Sequence, residues 1–140
     1  MLRISKLADY ACILMSYLAR QEQALNASEL ALGTHIHLPT VRKLLKSLSK
    51  AGLLTASRGV QGGYQLSRPG AELTLLEIVE AVDGPIALTD CAHALKTCEL
   101  QRHCPNQAPW LKINQVIKMA LAAMPLGDST IIGEEEEHAR

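Results

Sequence analysis

Residues 38–67 read LPTVRKLLKSLSKAGLLTASRGVQGGYQLS. Pro39 suits the first turn of a helix, where a missing N–H costs nothing, and the helix is expected to run to about Ala51. Val41, Leu44, Leu45 and Leu48 recur at i, i+3, i+4 and i+7 and form one packing stripe. Thr40, Arg42, Lys43, Lys46, Ser47 and Lys50 are left largely on the other surfaces, so one side packs and the other is polar and basic. Gly52 is placed to end the helix with a left-handed cap. Leu53 to Ser57 and Tyr64 to Ser67 then read as two short strands. The connection between them, Arg58-Gly59-Val60-Gln61-Gly62-Gly63, is too long for a two-residue turn and makes a glycine-rich basic tip.

Upstream, Leu7, Ala11, Leu14, Met15 and Leu18 keep helical spacing from Ser5, a suitable cap, to about Gln21. Cys12 lies inside this helix and reads as a small buried hydrophobe. Asn26 and Glu29 form a variant capping box that opens a second helix over Ala27 to Thr34. Two short helices, a basic third helix and a glycine-tipped hairpin make a winged helix-turn-helix. Its third helix enters the major groove of double-stranded DNA and its hairpin reaches the adjacent backbone or minor groove.

Downstream, Thr74 and Glu77 form another capping box, for a helix through about Val82 that Gly84-Pro85 stops. A loop from Leu88 to Gln107 follows. Pro109 then starts a long helix to about Met124, with Trp110, Ile113, Ile117, Leu121 and Met124 along one stripe. Lys112, Asn114, Gln115 and Lys118 are assigned to its opposite side. Residues from Gly127, ending in Glu134 to Glu137, read as a disordered acidic tail. The expected fold is mainly α with a small β-hairpin wing.

Charge supports that division. The chain has 140 residues and a net charge of zero, enough for one core but hardly for two independent domains. Residues 1–70 hold nine Lys and Arg against three Asp and Glu, a net +6, whereas residues 71–140 hold five against eleven, a net −6. Phosphate can be met by the first half only. No stretch approaches the ~18 apolar residues of a membrane span. Asp9 interrupts the apolar start of the chain, which argues against a signal peptide, so a cytoplasmic protein without a membrane partner is expected.

The remaining signal is cysteine spacing: Cys91, six residues, Cys98, five residues, Cys104. Without a secretion signal this set argues against disulfides and for thiolates kept for a metal. Three thiolates leave one position of an iron–sulfur cluster to a weaker ligand, which favours a labile, sensing cluster. His93 and His103 lie nearby as alternative candidates for that weaker ligand. A zinc site completed by a histidine is the other reading of the loop, and would make the chain a structural adaptor. No convergent acid–base set accompanies the loop, so an enzyme is not expected.

Several stretches together resemble the iron–sulfur winged-helix regulators of the IscR and NsrR type. They are Arg3-Ile4-Ser5-Lys6 through Asp9-Tyr10-Ala11, the leucine-rich third helix into Ala51-Gly52-Leu53, Arg58 to Tyr64, and Ile78 to Asp83 followed by three cysteines. Within that family the chain looks most similar to regulators of SUF-type iron–sulfur assembly. The resemblance implies a homodimer whose long carboxy-terminal helices cross, bound to a pseudo-palindromic operator. It also implies that Pro39, Thr40, Arg42 and Lys43 face the major groove, with Arg58 in the minor groove. Arg42 would read guanine while Lys46 or Lys50 meets phosphate. The cluster, 2Fe–2S or 4Fe–4S, would be held by Cys91, Cys98 and Cys104. Relatives that place a histidine three residues after the last cysteine are not matched, because Gln107 stands there. Others take an acidic residue from the first helix of the partner subunit, and Asp9 falls at that position. The first cysteine gap also departs from the pattern, at six residues where many relatives have five. The implied organisation is a DNA-binding domain at 1–70, a cluster loop and dimerisation helix at 71–126, and a tail at 127–140. The implied function is a repressor that senses iron–sulfur status, the alternative within the family being a nitric-oxide sensor.

Overall fold

A computed structural model of the chain describes residues 2–127. The expected acidic stretch Glu134 to Glu137, and the rest of the tail beyond Gly127, lie outside the described residues. Five helices and one hairpin follow in order: α1 Lys6–Ala19, α2 Ala27–Thr34, α3 Leu38–Lys50, β1 Leu54–Ser57, β2 Gly63–Leu66, α4 Leu75–Asp83 and α5 Gln107–Ala122. The chain is mainly helical with a two-stranded antiparallel wing, as expected.

Local chemistry sets the helix starts. Ser5 accepts a hydrogen bond from the Ala8 N–H, and both Asn26/Glu29 and Thr74/Glu77 form reciprocal capping boxes. Pro39 sits in the first turn of α3, where its missing donor has no intrahelical partner to lose. The α5 helix starts at Gln107, ahead of Pro109, because a proline within the first turn still breaks no intrahelical bond.

α1 is the centre of the core. Its Leu14, Met15 and Leu18 pack with Leu30 of α2, with Val41, Leu44, Leu45 and Leu48 of α3, and with Leu73, Ile78 and Leu126 from the carboxy-terminal half. Leu126 is carried there after α5 by a return of the chain, in which the Leu126 N–H donates to the Leu73 carbonyl at 2.7 Å. Gly33 keeps α2 close to α1, since a Cβ there would collide with the Tyr17 ring.

The wing is more firmly seated than a free tip. β1 and β2 pair from Leu54 with Leu66 to Ser57 with Gly63. Tyr64 and Leu25 also exchange backbone hydrogen bonds, of 3.0 and 2.7 Å, so the α1–α2 connection adds a third rung. Gly63 begins β2 at φ 150°, and a Cβ on it would lie 2.5 Å from the Leu25 carbonyl carbon. This glycine serves packing against the protein's own backbone.

α5 departs from expectation in its buried position. Trp110 and Ile113 of the apolar stripe, and Met124 just beyond the helix end, are exposed, and Ile117 and Leu121 are half-buried. The buried side chain of this helix is Asn114, which the sequence reading had placed on the solvent side.

Candidate nucleic-acid interface and cysteine loop

α3 turns Val41, Leu44, Leu45 and Leu48 into the core and leaves Arg42, Lys43, Lys46 and Lys50 exposed. Pro39 is exposed and Thr40 half-buried at its amino-terminal end. Arg58 is exposed where β1 runs into the wing tip. Among the described residues none of these cations has a carboxylate in ion-pair range, whereas Arg68 is bound by Glu77 at 2.6 Å, Lys96 by Asp90 and Lys118 by Glu80, both at 3.2 Å. The positive charge on α3 and the wing tip is therefore left without a carboxylate partner among the described residues, an arrangement that suits a phosphate backbone.

Partial burial would raise the Glu77 carboxyl. The hydrogen bonds from Arg68 and Thr74 and the Arg68 charge outweigh it and hold the carboxyl below its ordinary range. Arg68 is thereby committed to fixing the wing against the start of α4.

The cysteine loop opens on a strap, Gly84 to Leu88, that leaves α4. The Ile86 N–H donates to Glu80 Oε1 at 3.1 Å, and Asn114 takes both the Leu88 N–H (3.0 Å) and the Ile86 carbonyl (3.2 Å). Cys91 follows in a single 3-10 turn, Asp90–Ala92, with its Sγ 3.0 Å from Thr89 Oγ1. Cys98 and Cys104 each stand just ahead of a turn further along, their carbonyls accepting from the Gln101 and Gln107 N–H groups. All three are half-buried free thiols. His93 turns back on its own loop, its Nδ1 accepting from the Leu95 N–H, and His103 is exposed.

Three thiols with no disulfide partner suit a soft metal or an iron–sulfur cluster by donor chemistry. Among the described residues, however, no three His, Cys, Asp or Glu side chains are gathered closely enough to hold a metal ion. Loading would have to draw the thiols together, which a loop of turns permits. Asp9 is exposed in the first turn of α1 and is not gathered with the cysteines within one chain. Cys12 stands apart from the set. Burial pushes its thiol up to about 11, with the Asp9 carboxylate adding to the effect, so it stays protonated.

Three groups escaped sequence reasoning: Asn114, Thr89, and the pair in which the Ser5 hydroxyl donates to Asp83 at 2.6 Å, tying the start of α1 to the end of α4. Ser5 was legible as a cap. Its second bond, and both Asn114 bonds, join positions far apart in sequence and leave no local signal.

Between α4, α5 and the amino-terminal segment runs a groove of about 680 Å³ lined by Ile4, Val79, Pro85, Trp110, Ile117 and Leu121 among others. Of its lining residues, Trp110 is also among the exposed apolar side chains of α5. No helix among the described residues is long and apolar enough to cross a membrane.

A model of the Rrf2 family, described as iron-dependent transcriptional regulators, matches residues 4–130. An HTH-type transcriptional regulator IscR of Aliivibrio salmonicida is 28% identical over 102 residues, covering 73% of this chain and 60% of that protein. The protein aau3 of Rhizobium meliloti is 31% identical over 94 residues, covering 66% and 61%. The chain thus spans about six-tenths of the length of these curated relatives. Among solved structures, CymR, the global cysteine regulator of B. subtilis, is 26% identical with a TM-score of 0.70, covering 91% of this chain and 95% of that one. IscR of T. potens superposes with a TM-score of 0.69 at 24% identity over 99% of this chain and 93% of that one, a likeness of fold.

Proposed function

The chain belongs to the Rrf2 family of transcriptional regulators, and from that premise we propose a repressor that reads iron–sulfur status through Cys91, Cys98 and Cys104 and controls iron–sulfur assembly genes of the SUF type. DNA binding, and a role in regulation rather than catalysis, come with the family. The finer reading rests chiefly on one observation: three free, half-buried thiols on a single loop that leaves α4, a helix packed directly on α1.

In this reading residues 1–70 bind DNA, with Pro39, Thr40, Arg42 and Lys43 in the major groove, Lys46 on phosphate and Arg58 in the minor groove. Residues 71–126 carry the loop and the dimerisation helix, and the core leucines join the two units. Two copies meet through the exposed apolar side of α5 and present two α3 helices to a pseudo-palindromic operator. Asp9 of the partner subunit supplies the fourth ligand to the loop. A cluster bound there, 2Fe–2S or 4Fe–4S, would supply reversible sensitivity to iron shortage, oxidants or nitric oxide. The chain's own part is mechanical: Ser5 and Asp83 link the end of α4 to the start of α1, and α1 underlies α3.

The test is an anaerobic absorption spectrum with iron and sulfide analysis, followed by titration onto the chain's own upstream DNA before and after cluster removal. A brown protein whose affinity changes on cluster loss supports the proposal. A colourless zinc protein, or an affinity blind to the cluster, refutes the sensing part and leaves a DNA binder with a structural metal. Asp9→Ala is expected to keep the dimer and shorten cluster lifetime, and an unchanged lifetime removes Asp9 from the ligand set.

A further inference from the structure

We infer that Asn114 is a positioning residue for the cysteine loop, holding the strap that leads to Cys91 through the backbone of Ile86 and Leu88. Asn114 is the buried polar side chain among the described residues, with 8% of its surface exposed, on a helix whose large apolar side chains are mostly exposed. A helix that gives its most buried position to a carboxamide has to use both ends of it, and this one does. Oδ1 accepts from the Leu88 N–H and Nδ2 donates to the Ile86 carbonyl. Bonding those two groups on either side of Ala87 is what the edge of a parallel strand would do, so the side chain stands in for a strand. A second fastening comes from Glu80, which accepts from the Ile86 N–H and is itself held by Lys118.

The consequence falls unequally on the three thiols. Cys91 lies three residues beyond Leu88, and its sulfur is in hydrogen-bond range of Thr89, so its position is inherited from α4 and α5. Cys98 lies among loop turns, and Cys104 meets the start of α5 through a backbone bond from the Gln107 N–H to its carbonyl, at 3.4 Å. Cys91 is the member of the set whose approach is held by side-chain bonds, and the other two close onto it. That consequence rests on the proposed role of the loop as a metal site, whereas the fastening itself does not.

Two readouts on the full chain separate the two. In the wild-type protein the Ile86 and Leu88 amides are expected to exchange with solvent more slowly than loop amides between Cys98 and Cys104, a comparison that needs no variant. Asn114→Asp keeps the shape and one acceptor but sets a carboxylate oxygen against the Ile86 carbonyl, and Asn114→Leu keeps the volume and removes both bonds. Each is expected to speed exchange at Leu88 roughly tenfold with circular dichroism unchanged. Cobalt(II), added as the probe to reduced protein, is expected to give a thiolate charge-transfer band. The variants should shift it and bind cobalt roughly tenfold or more weakly, as loss of a supporting group does. Unchanged exchange at Leu88 would overturn the positioning role. Faster exchange with an unaltered cobalt band would overturn the link to Cys91. A wild-type protein with no thiolate band would sink the metal reading of the loop and leave the exchange result to decide the role of Asn114 alone.

Discussion

Cys12 and the three loop cysteines are the same functional group in two environments. The thiolate is the form that attacks an alkylating agent or binds a metal. With its titration pushed to about 11 by burial and by Asp9, Cys12 stays a thiol under mildly alkaline conditions. Iodoacetamide followed by peptide mass spectrometry is therefore expected to label Cys12 roughly tenfold more slowly than the loop cysteines of the metal-free protein. Equal rates would show that the α1 packing opens readily. Ser5→Ala removes the cap on Ala8 and the bond to Asp83 together. It should lower unfolding free energy in urea by about 1 kcal/mol, with Ser5→Thr recovering most of the loss. Caps such as Ser5, Asn26 and Thr74 were legible in the sequence because each partner lies three residues away. Asn114 was not, because its partners Leu88 and Ile86 are 26 and 28 residues away, and a polar residue on an amphipathic helix reads locally as solvent-facing.

At the scale of elements, the wing and α4 depend on each other. Gly63→Ala forces a Cβ against the Leu25 carbonyl at φ 150°, whereas Gly52→Ala meets only strain, since nothing lies within 4 Å of it at φ 77°. The first should cost about 2–3 kcal/mol and the second about 1 kcal/mol in urea unfolding. Equal losses would mean that the Leu25 rung does not constrain the wing. Glu77 joins the end of the wing, through Arg68, to the start of α4. Its carboxyl titrates lower in the folded protein than in the unfolded chain, so its contribution is present above the ordinary carboxylate range and is lost as pH falls through the depressed folded value. The stability advantage of wild type over Glu77→Gln is expected to shrink on acidification, and a gap independent of pH would assign Glu77 to packing. Helices α1 to α4 and the hairpin were legible because periodicity, caps and glycine placement are local signals. The Leu25 rung was hidden because an isolated pair of backbone bonds needs no particular side chain. The two short 3-10 turns, Gly70–Glu72 and Asp90–Ala92, carried no periodicity at all.

For the whole molecule, the deciding feature is that its amino-terminal and carboxy-terminal halves share one core while an apolar helix face stays outside it. Leu73, Ile78 and Leu126 pack with Leu14 and Leu45, so α4, from which the cysteine loop leaves, shares its packing with α1 and α3. On α5, by contrast, Ile113, Val116 and Met119 remain 43%, 58% and 61% exposed. Of the stripe expected from Trp110 to Met124, Ile117 and Leu121 are half-buried, whereas Trp110, Ile113 and Met124 stay exposed. An apolar face of this kind is rarely left in water. If a second copy covers it, a charge at its centre should separate the copies without unfolding either. Val116→Glu is therefore expected to sediment as a monomer with unchanged circular dichroism. The same variant should lose operator affinity, because one α3 then reaches one half-site. The salt dependence carries the stricter test, since each phosphate contact contributes about 0.9 to the slope of log affinity against log salt. Val116→Glu should show about half the wild-type slope, and Lys46→Ala in the intact dimer a slope smaller by about 2, one contact per protomer. A Val116→Glu monomer that kept the full slope would mean that a single copy supplies every phosphate contact, and that the two-fold docking of α3 is wrong.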